Sequence, residues 1–217
     1  MNMKTLTKLM LYGFMLLAFT GSDLFAQSSA RDNFNYGITG GLNFAKFRGN
    51  GVGSTDARTF GKFGLFAEYN VVDFFAIQPE VNYDVRGAKS KIADPRTRYR
   101  LSYIEVPVMF KGIYKNDSNV APYISAGPSV AFKVSDKYQQ IVGGVKTDGN
   151  IKDLGVKPND TLFDMNFGAG VQLGYLNIGG RYSLGLSDLI KDTRSKNDTF
   201  SIVLGIGIKN TARPMMR

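Results

Sequence analysis

The stretch "SYIEVPVMFKGIYK" (residues 102–115) decides the fold. Ile104, Val106, Val108 and Phe110 fall on one face of an extended chain, with Tyr103, Glu105, Pro107, Met109 and Lys111 on the other. Strict alternation predicts a β-strand with one face in an apolar medium. The acid and the base on the second face require polar surroundings there. Which of the two media lies outside the fold is then the deciding question.

Seven further segments alternate in the same way, at 34–47, 60–71, 74–85, 120–135, 161–174, 176–187 and 199–209, and the segment around the quoted stretch spans 99–114. Each is as long as the roughly 9–11 residues of a tilted strand that crosses a membrane. No helical periodicity appears after the N-terminal region. The connections alternate too. After the second, fourth and sixth segments they are the short "VVDF", "KNDSN" and "GYL"; after the others they are long, at 48–59, 86–98, 136–160 and 188–198. Short turns at one end and long loops at the other predict an all-β, eight-stranded, antiparallel up-and-down transmembrane β-barrel. An even strand count brings both chain ends to the short-turn side. In an outer membrane that side is the periplasm, and the long loops are extracellular.

A soluble, lipocalin-like barrel has the same strand count with the faces reversed. The composition of the polar face separates the two. The last three segments set "FMFAVL", "LIGYLL" and "FILII" against Asp, Asn, Ser, Gln and Gly with isolated charges. Water-facing strand positions are ordinarily rich in Lys, Glu and Thr, whereas small polar residues suit a narrow lumen. Aromatics also gather at the strand ends: Tyr36, Phe75, Tyr114, Tyr123 and Tyr175 at the short-turn end, and Phe60, Tyr83, Tyr99, Phe163 and Phe200 at the other. These resemble two interfacial girdles. Ile104, Val106, Val108 and Phe110 therefore face lipid, and Glu105 and Lys111 face the lumen. Pro79, Pro107 and Pro128 interrupt the segments and predict local bulges, since proline offers no ladder donor.

The N-terminus has the form of an export signal: Lys4 and Lys8, the apolar run "LMLYGFMLLAF" (9–19), then small residues. The expected division is a cleaved signal at 1–26 and a barrel domain at 27–217, with cleavage after Ala26 or alternatively after Ala30. The run is too short for a membrane helix.

Composition excludes several chemistries. The chain has no Cys and no His, so it lacks disulfides, the usual zinc sites and the Ser–His–Asp and Cys–His nucleophile systems. No catalytic, cofactor-binding or metal site is predicted, and no enzymatic activity. "GAGVQLG" (168–174) spaces its glycines as a strand does and opens no helix, so it is not a phosphate loop. Asp148, Asn150, Asp153, Asn159 and Asp160 match no EF-hand spacing. The net charge of +9 is spread over strands and loops with no stacking platform, so nucleic acid is not an expected partner.

The charges that alternation turns inward are Lys62, Glu68, Glu80, Glu105, Lys111, Lys133, Asp164 and Arg181. Charges in a narrow lumen must be paired, which predicts a structural ion-pair network with Arg181 at its centre. Glycines dominate the inward face of the last three segments, and long side chains lean across to that wall. In the second long loop, Arg86, Lys89, Lys91, Arg96, Arg98 and Arg100 face only Asp94. At the outer rim, Arg96, Arg98 and Arg100 are candidate contacts for lipopolysaccharide phosphates.

The stretches "YIEVPVMFKG" (103–112), "PYISAGPSVAF" (122–132), "FGAGVQLGY" (167–175) and "GRYSLGLSDL" (180–189) resemble the PorT-like outer-membrane β-barrel family. "YGITGGLNFA" (36–45) and "FAIQPEVNYDVRGAK" (75–89) fit the same pattern, so the resemblance spans nearly all of the mature chain. It implies an eight-stranded outer-membrane barrel, with outer-membrane lipid and envelope or secretion-machinery proteins as partners. One named member of the family serves type IX protein secretion, which implies a structural or interaction role in secretion or surface assembly. The alternative function is a narrow pore for small solutes. The chain departs from the usual pattern at its end, where "GIGIK" and "NTARPMMR" replace a closing aromatic.

Overall fold

The computed structural model describes residues 33–49, 55–56, 58–90, 96–114, 119–143, 145–151, 158–189 and 195–208. The expected signal segment lies outside the described residues. Ten strands form: β1 (Phe34–Gly49), β2 (Thr55–Asp56), β3 (Arg58–Val72), β4 (Phe75–Ser90), β5 (Arg96–Ile113), β6 (Val120–Val142), β7 (Val145–Asn150), β8 (Thr161–Leu173), β9 (Leu176–Gly185) and β10 (Ser195–Gly207). Eight of them close a ring in the order β1-β10-β9-β8-β6-β5-β4-β3 and back to β1. The seam between first and last strand runs antiparallel from Gly37 opposite Gly207 to Gly49 opposite Ser195. Closure gives every strand two neighbours, as hydrocarbon surroundings require.

The eight predicted segments are these eight strands, but the long connections are less loop-like than expected. β2 adds two residues to the upper end of β4. β6 continues to Val142 and turns back at once into β7, with Val142 opposite Val145. The two-residue turn works because Gly143 takes a positive φ of 54°. At the opposite end, β8 and β9 are joined by Gly174–Tyr175, where Gly174 has φ 60°. That end is laced together by main-chain bonds. Ile208 N–H donates to Tyr36 O at 2.8 Å and Gly207 N–H to Tyr175 O at 2.7 Å. Both ends of the described barrel thus lie at the short turns.

The faces answer the opening question. Tyr103, Glu105, Pro107, Met109 and Lys111 are all buried in the lumen, while Phe110 and its outward neighbours form the outer surface. Large apolar residues stand exposed around the barrel, among them Ile38, Leu65, Ile124, Phe163 and Ile202. A water-soluble barrel has the reverse arrangement. Among the described residues no helix is long and apolar enough to cross a membrane; the strands do so.

Two expectations are corrected. Tyr123 is not a girdle residue: Lys111 Nζ lies 4.4 Å from the centre of its ring, inside the barrel. Tyr36, Tyr114 and Tyr175 remain outward at that end, and Phe163 and Phe200 at the other. The Tyr99 side chain lies outside the described residues. Nor do the prolines create bulges. Register shifts occur instead at Ser102/Tyr103, where Val134 is the extra residue opposite, and at Asn70/Val72. Beside each proline the ladder skips two pairs and resumes in the same register. Pro79 breaks it toward β3, Pro107 toward β4 and Pro128 toward β5. A proline lacks only one N–H, so losing the adjacent bonds is enough. The chain need not shift.

A ring of eight strands that closes on itself resists detergent unfolding. The purified protein, folded in detergent, is expected to migrate differently on a denaturing gel before and after boiling. Identical mobility together with solubility in plain buffer would contradict the membrane barrel.

Candidate functional site

The lumen is the site on which the inward residues converge. Among the described residues its buried charges are four cations, Lys62, Arg86, Lys111 and Arg181, and five carboxylates, Glu68, Glu80, Asp84, Glu105 and Asp164. They form tiers along the barrel because each strand contributes every second residue at its own height.

The tier nearest the short turns is built on Lys111 of β5, which pairs with Glu68 of β3 and donates to Gln78 Oε1 at 3.0 Å. Gln172 of β8 donates to the same Glu68 from across the lumen, at 3.3 Å. The middle tier is a two-pronged pair. Arg181 of β9 reaches Glu80 of β4 through NH1 at 2.8 Å and NH2 at 2.7 Å, and Asn82 Nδ2 adds a bond to Glu80 at 2.9 Å. Planar guanidinium and carboxylate match in this geometry. The third tier centres on Arg86. Its Nε donates to Asp84 at 2.6 Å, its NH2 lies 2.9 Å from Asp164 and 3.8 Å from Glu105, and its guanidinium lies 5.6 Å from the centre of the Tyr103 ring. Asn43 donates to Asp84 and accepts from Ser201. Ser129 donates to Glu105 at 2.8 Å, and Asn166 donates to Ser129 at 2.9 Å. Ser183 of β9 also donates to Asn166, so seven strands share one network.

Of the eight residues predicted for the network, Glu68 and Lys111 meet in one tier, Glu80 and Arg181 in the next, and Glu105 and Asp164 in the third. Lys62 is buried, with no ion pair among the described residues. Lys133 sits apart at the rim, bonded to Asp160 at 2.8 Å, Asp136 at 3.3 Å and Pro158 O at 3.1 Å. Arg181 is not the centre. Arg86 touches more carboxylates, although the alternation pattern places it in the second long loop. β4 continues to Ser90, so the alternation of Glu80, Asn82 and Asp84 carries Arg86 inward to 1 % exposure. Extending that period by one step would have found it.

The glycine wall is filled as expected. A Cβ on Gly170 would lie 2.7 Å from the Tyr123 hydroxyl, and one on Gly205 would lie 3.5 Å from the Phe66 ring. Toward the long loops the lumen is closed by an apolar cap of Leu101, Tyr103, Ala131 and Leu162, joined by Ile151 and Leu189 from the loops and covered by Tyr138. Asn159 holds this closure, with its N–H on Leu189 O at 2.8 Å and its side chain on Asp188 O at 2.6 Å. Among the described residues, a cavity of about 20 Å³ lies near Phe66, Gln78, Lys111, Tyr123, Asn177 and Arg181. That is room for about one water molecule. Among the described residues no cluster of acids is arranged to hold a metal ion.

The family model for the outer membrane protein beta-barrel domain matches residues 25–191. The chain belongs to that family. This outer-membrane barrel is accordingly an integral protein of the bacterial outer membrane. Its fold is similar to Ail, the attachment invasion locus protein of Yersinia pestis, at 13% identity over 80% of this chain and 98% of that one, with a TM-score of 0.41. It is also similar to Neisserial surface protein A (NspA), at 17% identity over 80% and 96% with a TM-score of 0.46. A third similar structure is OprG from Pseudomonas aeruginosa, at 11% identity over 81% and 94% with a TM-score of 0.43. No curated protein matches the chain.

Removing one partner of a buried pair leaves the other charge without compensation. Arg86→Met and Arg181→Leu are each expected to destabilise the barrel by about 3–5 kcal/mol, read as a lowered urea midpoint of the protein in lipid. An unchanged midpoint for either variant would remove that arginine from a stabilising role.

Proposed function

We propose that this barrel is a closed, non-enzymatic component of the outer membrane that works through the surface at its long-loop end, as a scaffold for protein secretion or surface assembly. In this reading the long loops face the cell exterior and both chain ends face the periplasm. The observation that carries it is the filled lumen: tiers of ion pairs, Phe66 and Tyr123 laid against the glycine wall, and an apolar cap above. A conduit needs a continuous wet path, and a cavity of about 20 Å³ is not one. The filled lumen therefore supports a scaffold over a narrow pore. The resemblance of "YIEVPVMFKG" and its companion stretches to PorT-like barrels supports type IX secretion as the process served.

Planar-bilayer recordings test the closed lumen. Purified protein is expected to give no large, steady conductance, and a sustained open level would favour the pore. Deleting the gene in its host tests the process. Type IX cargo retained in the cell supports the secretion role, and unchanged export would leave surface assembly.

The basic rim adds a lipid contact to this reading. With Arg86 drawn into the lumen, the remaining charges are Lys89, Lys91, Arg96, Arg98 and Arg100 against Asp94. Arg96, Arg98 and Arg100 lie on β5 opposite Ile141, Gln139 and Lys137. Arg100 is exposed, while the side chains of Arg96 and Arg98 lie outside the described residues. Alternation places the three on one face, where guanidinium groups suit the phosphates of lipopolysaccharide. Changing all three to Gln is expected to weaken lipopolysaccharide binding at low salt, with the difference shrinking as salt is added. Equal binding by variant and parent would leave a merely solvated rim.

A further inference from the structure

β7 is an edge strand that the closed ring does not account for. It pairs with β6 and, among the described residues, with no other strand. Its residues are exposed almost throughout. An open edge ordinarily invites pairing with another chain, so its chemistry indicates what it can pair with.

The hairpin sets which main-chain groups point outward. With only two residues between them, Val142 and Val145 form the closing hydrogen-bonded pair. Along β7 the N–H and C=O groups then alternate between the two sides. Val145, Thr147 and Gly149 turn theirs toward β6, while Lys146 and Asp148 turn theirs to the open side. Lys146 and Asp148 also share one face, being two residues apart. They make no ion pair among the described residues.

We propose that β7 pairs with β7 of a second copy of this chain, antiparallel, with Lys146 opposite the other copy's Asp148. Thr147 then lies on the two-fold axis, facing its own counterpart. Both residues of each Lys146–Asp148 pair carry outward main-chain groups, so the two pairs supply roughly four ladder hydrogen bonds. They also place opposite charges directly across, the favourable arrangement for cross-strand neighbours. Parity allows only registers that differ by two. A slip one way puts Lys146 against Lys146, and a slip the other way puts Asp148 against Asp148. A single register is therefore charge-complementary.

The geometry also fixes how the two copies face. Identical edges pairing antiparallel are related by a two-fold axis perpendicular to their sheet. For a hairpin that continues the barrel wall, this axis lies in the membrane plane, and rotation about it inverts the barrel. The pair is head to head, between two apposed membranes. This inference rests on the reading that the long-loop end faces outward, and it names the partner of that surface.

The test uses the full-length chain in two populations of phosphatidylcholine vesicles carrying donor and acceptor dyes, with docking read as energy transfer. The parent is expected to dock. Lys146→Asp and Asp148→Lys each place like charges across both pairs, and each alone is expected to reduce docking about tenfold or more. Vesicles carrying one variant mixed with vesicles carrying the other regain both attractive pairs and dock again. The double variant K146D/D148K is also expected to dock with itself. Heat-modifiable mobility shows that each variant is folded. Absence of docking by the parent, unaffected docking by either single variant, or failure of the mixed variants to recover overturns the proposal. A protease site inserted between Gly143 and Gly144 tests the orientation separately. Cleavage on whole cells with no vesicle docking rejects self-pairing alone, while protection on whole cells rejects the outward orientation itself.

Discussion

Among the described residues, nine charged side chains are buried inside a tube of eight strands whose outer surface meets hydrocarbon. Lipid outside forces the polar half of each strand inward, and an eight-strand interior is only wide enough for side chains to fill. Charges placed there lose their water and must find each other. The pairing of Arg181 with Glu80, of Lys111 with Glu68, and of Arg86 with Asp84 and Asp164 follows from that one constraint. So does the asymmetry of the wall. Long charged and aromatic side chains from β3 to β6 need space opposite, and glycines on β8, β9 and β10 provide it.

The same filling shapes what the barrel can do. Ion pairs link strands far apart in the sequence, tying β4 to β9 and β3 to β5, so the lumen braces the ring from within. The cap of Leu101, Tyr103, Leu162, Ile151 and Leu189 seals it at the long-loop end. A molecule so closed inside has its free chemistry at the rims, on extended β5, β6 and β7. There the strands outrun the membrane band and the edge of the sheet opens.

Strand identity, face and membership in an outer-membrane barrel were legible in the sequence, because alternation with period two survives whatever the tertiary partners are. The stretch 102–115 already separates Ile104, Val106 and Val108 from Glu105 and Lys111, and the alternating connection lengths give the strand count. The broader family, the outer membrane protein beta-barrel domain, was legible for the same reason, since the matching motifs are the strands themselves. Strand ends were less legible. Beyond the membrane the outer medium is water, the contrast between faces fades, and β4 and β6 run on past the point where the pattern weakens. For that reason the pattern alone predicts loop at Arg86 and over 136–160, where β4, β6 and β7 continue to Ser90, Val142 and Asn150.

What the sequence alone determined was which residues turn inward, because the pleat assigns faces locally. Which of them meet was decided only by the closed ring, through the register between strands that are distant along the chain. Arg86 rather than Arg181 gathers the most carboxylates because β4 and β8 bring Asp84 and Asp164 to one height. Tyr123, which the pleat turns inward, fits there because Gly170 and Gly179 leave a space at its level. The three prolines sit in register without bulges because each ladder resumes past the missing donors. Such outcomes depend on heights around a closed ring, and alternation along a single strand carries no information about them.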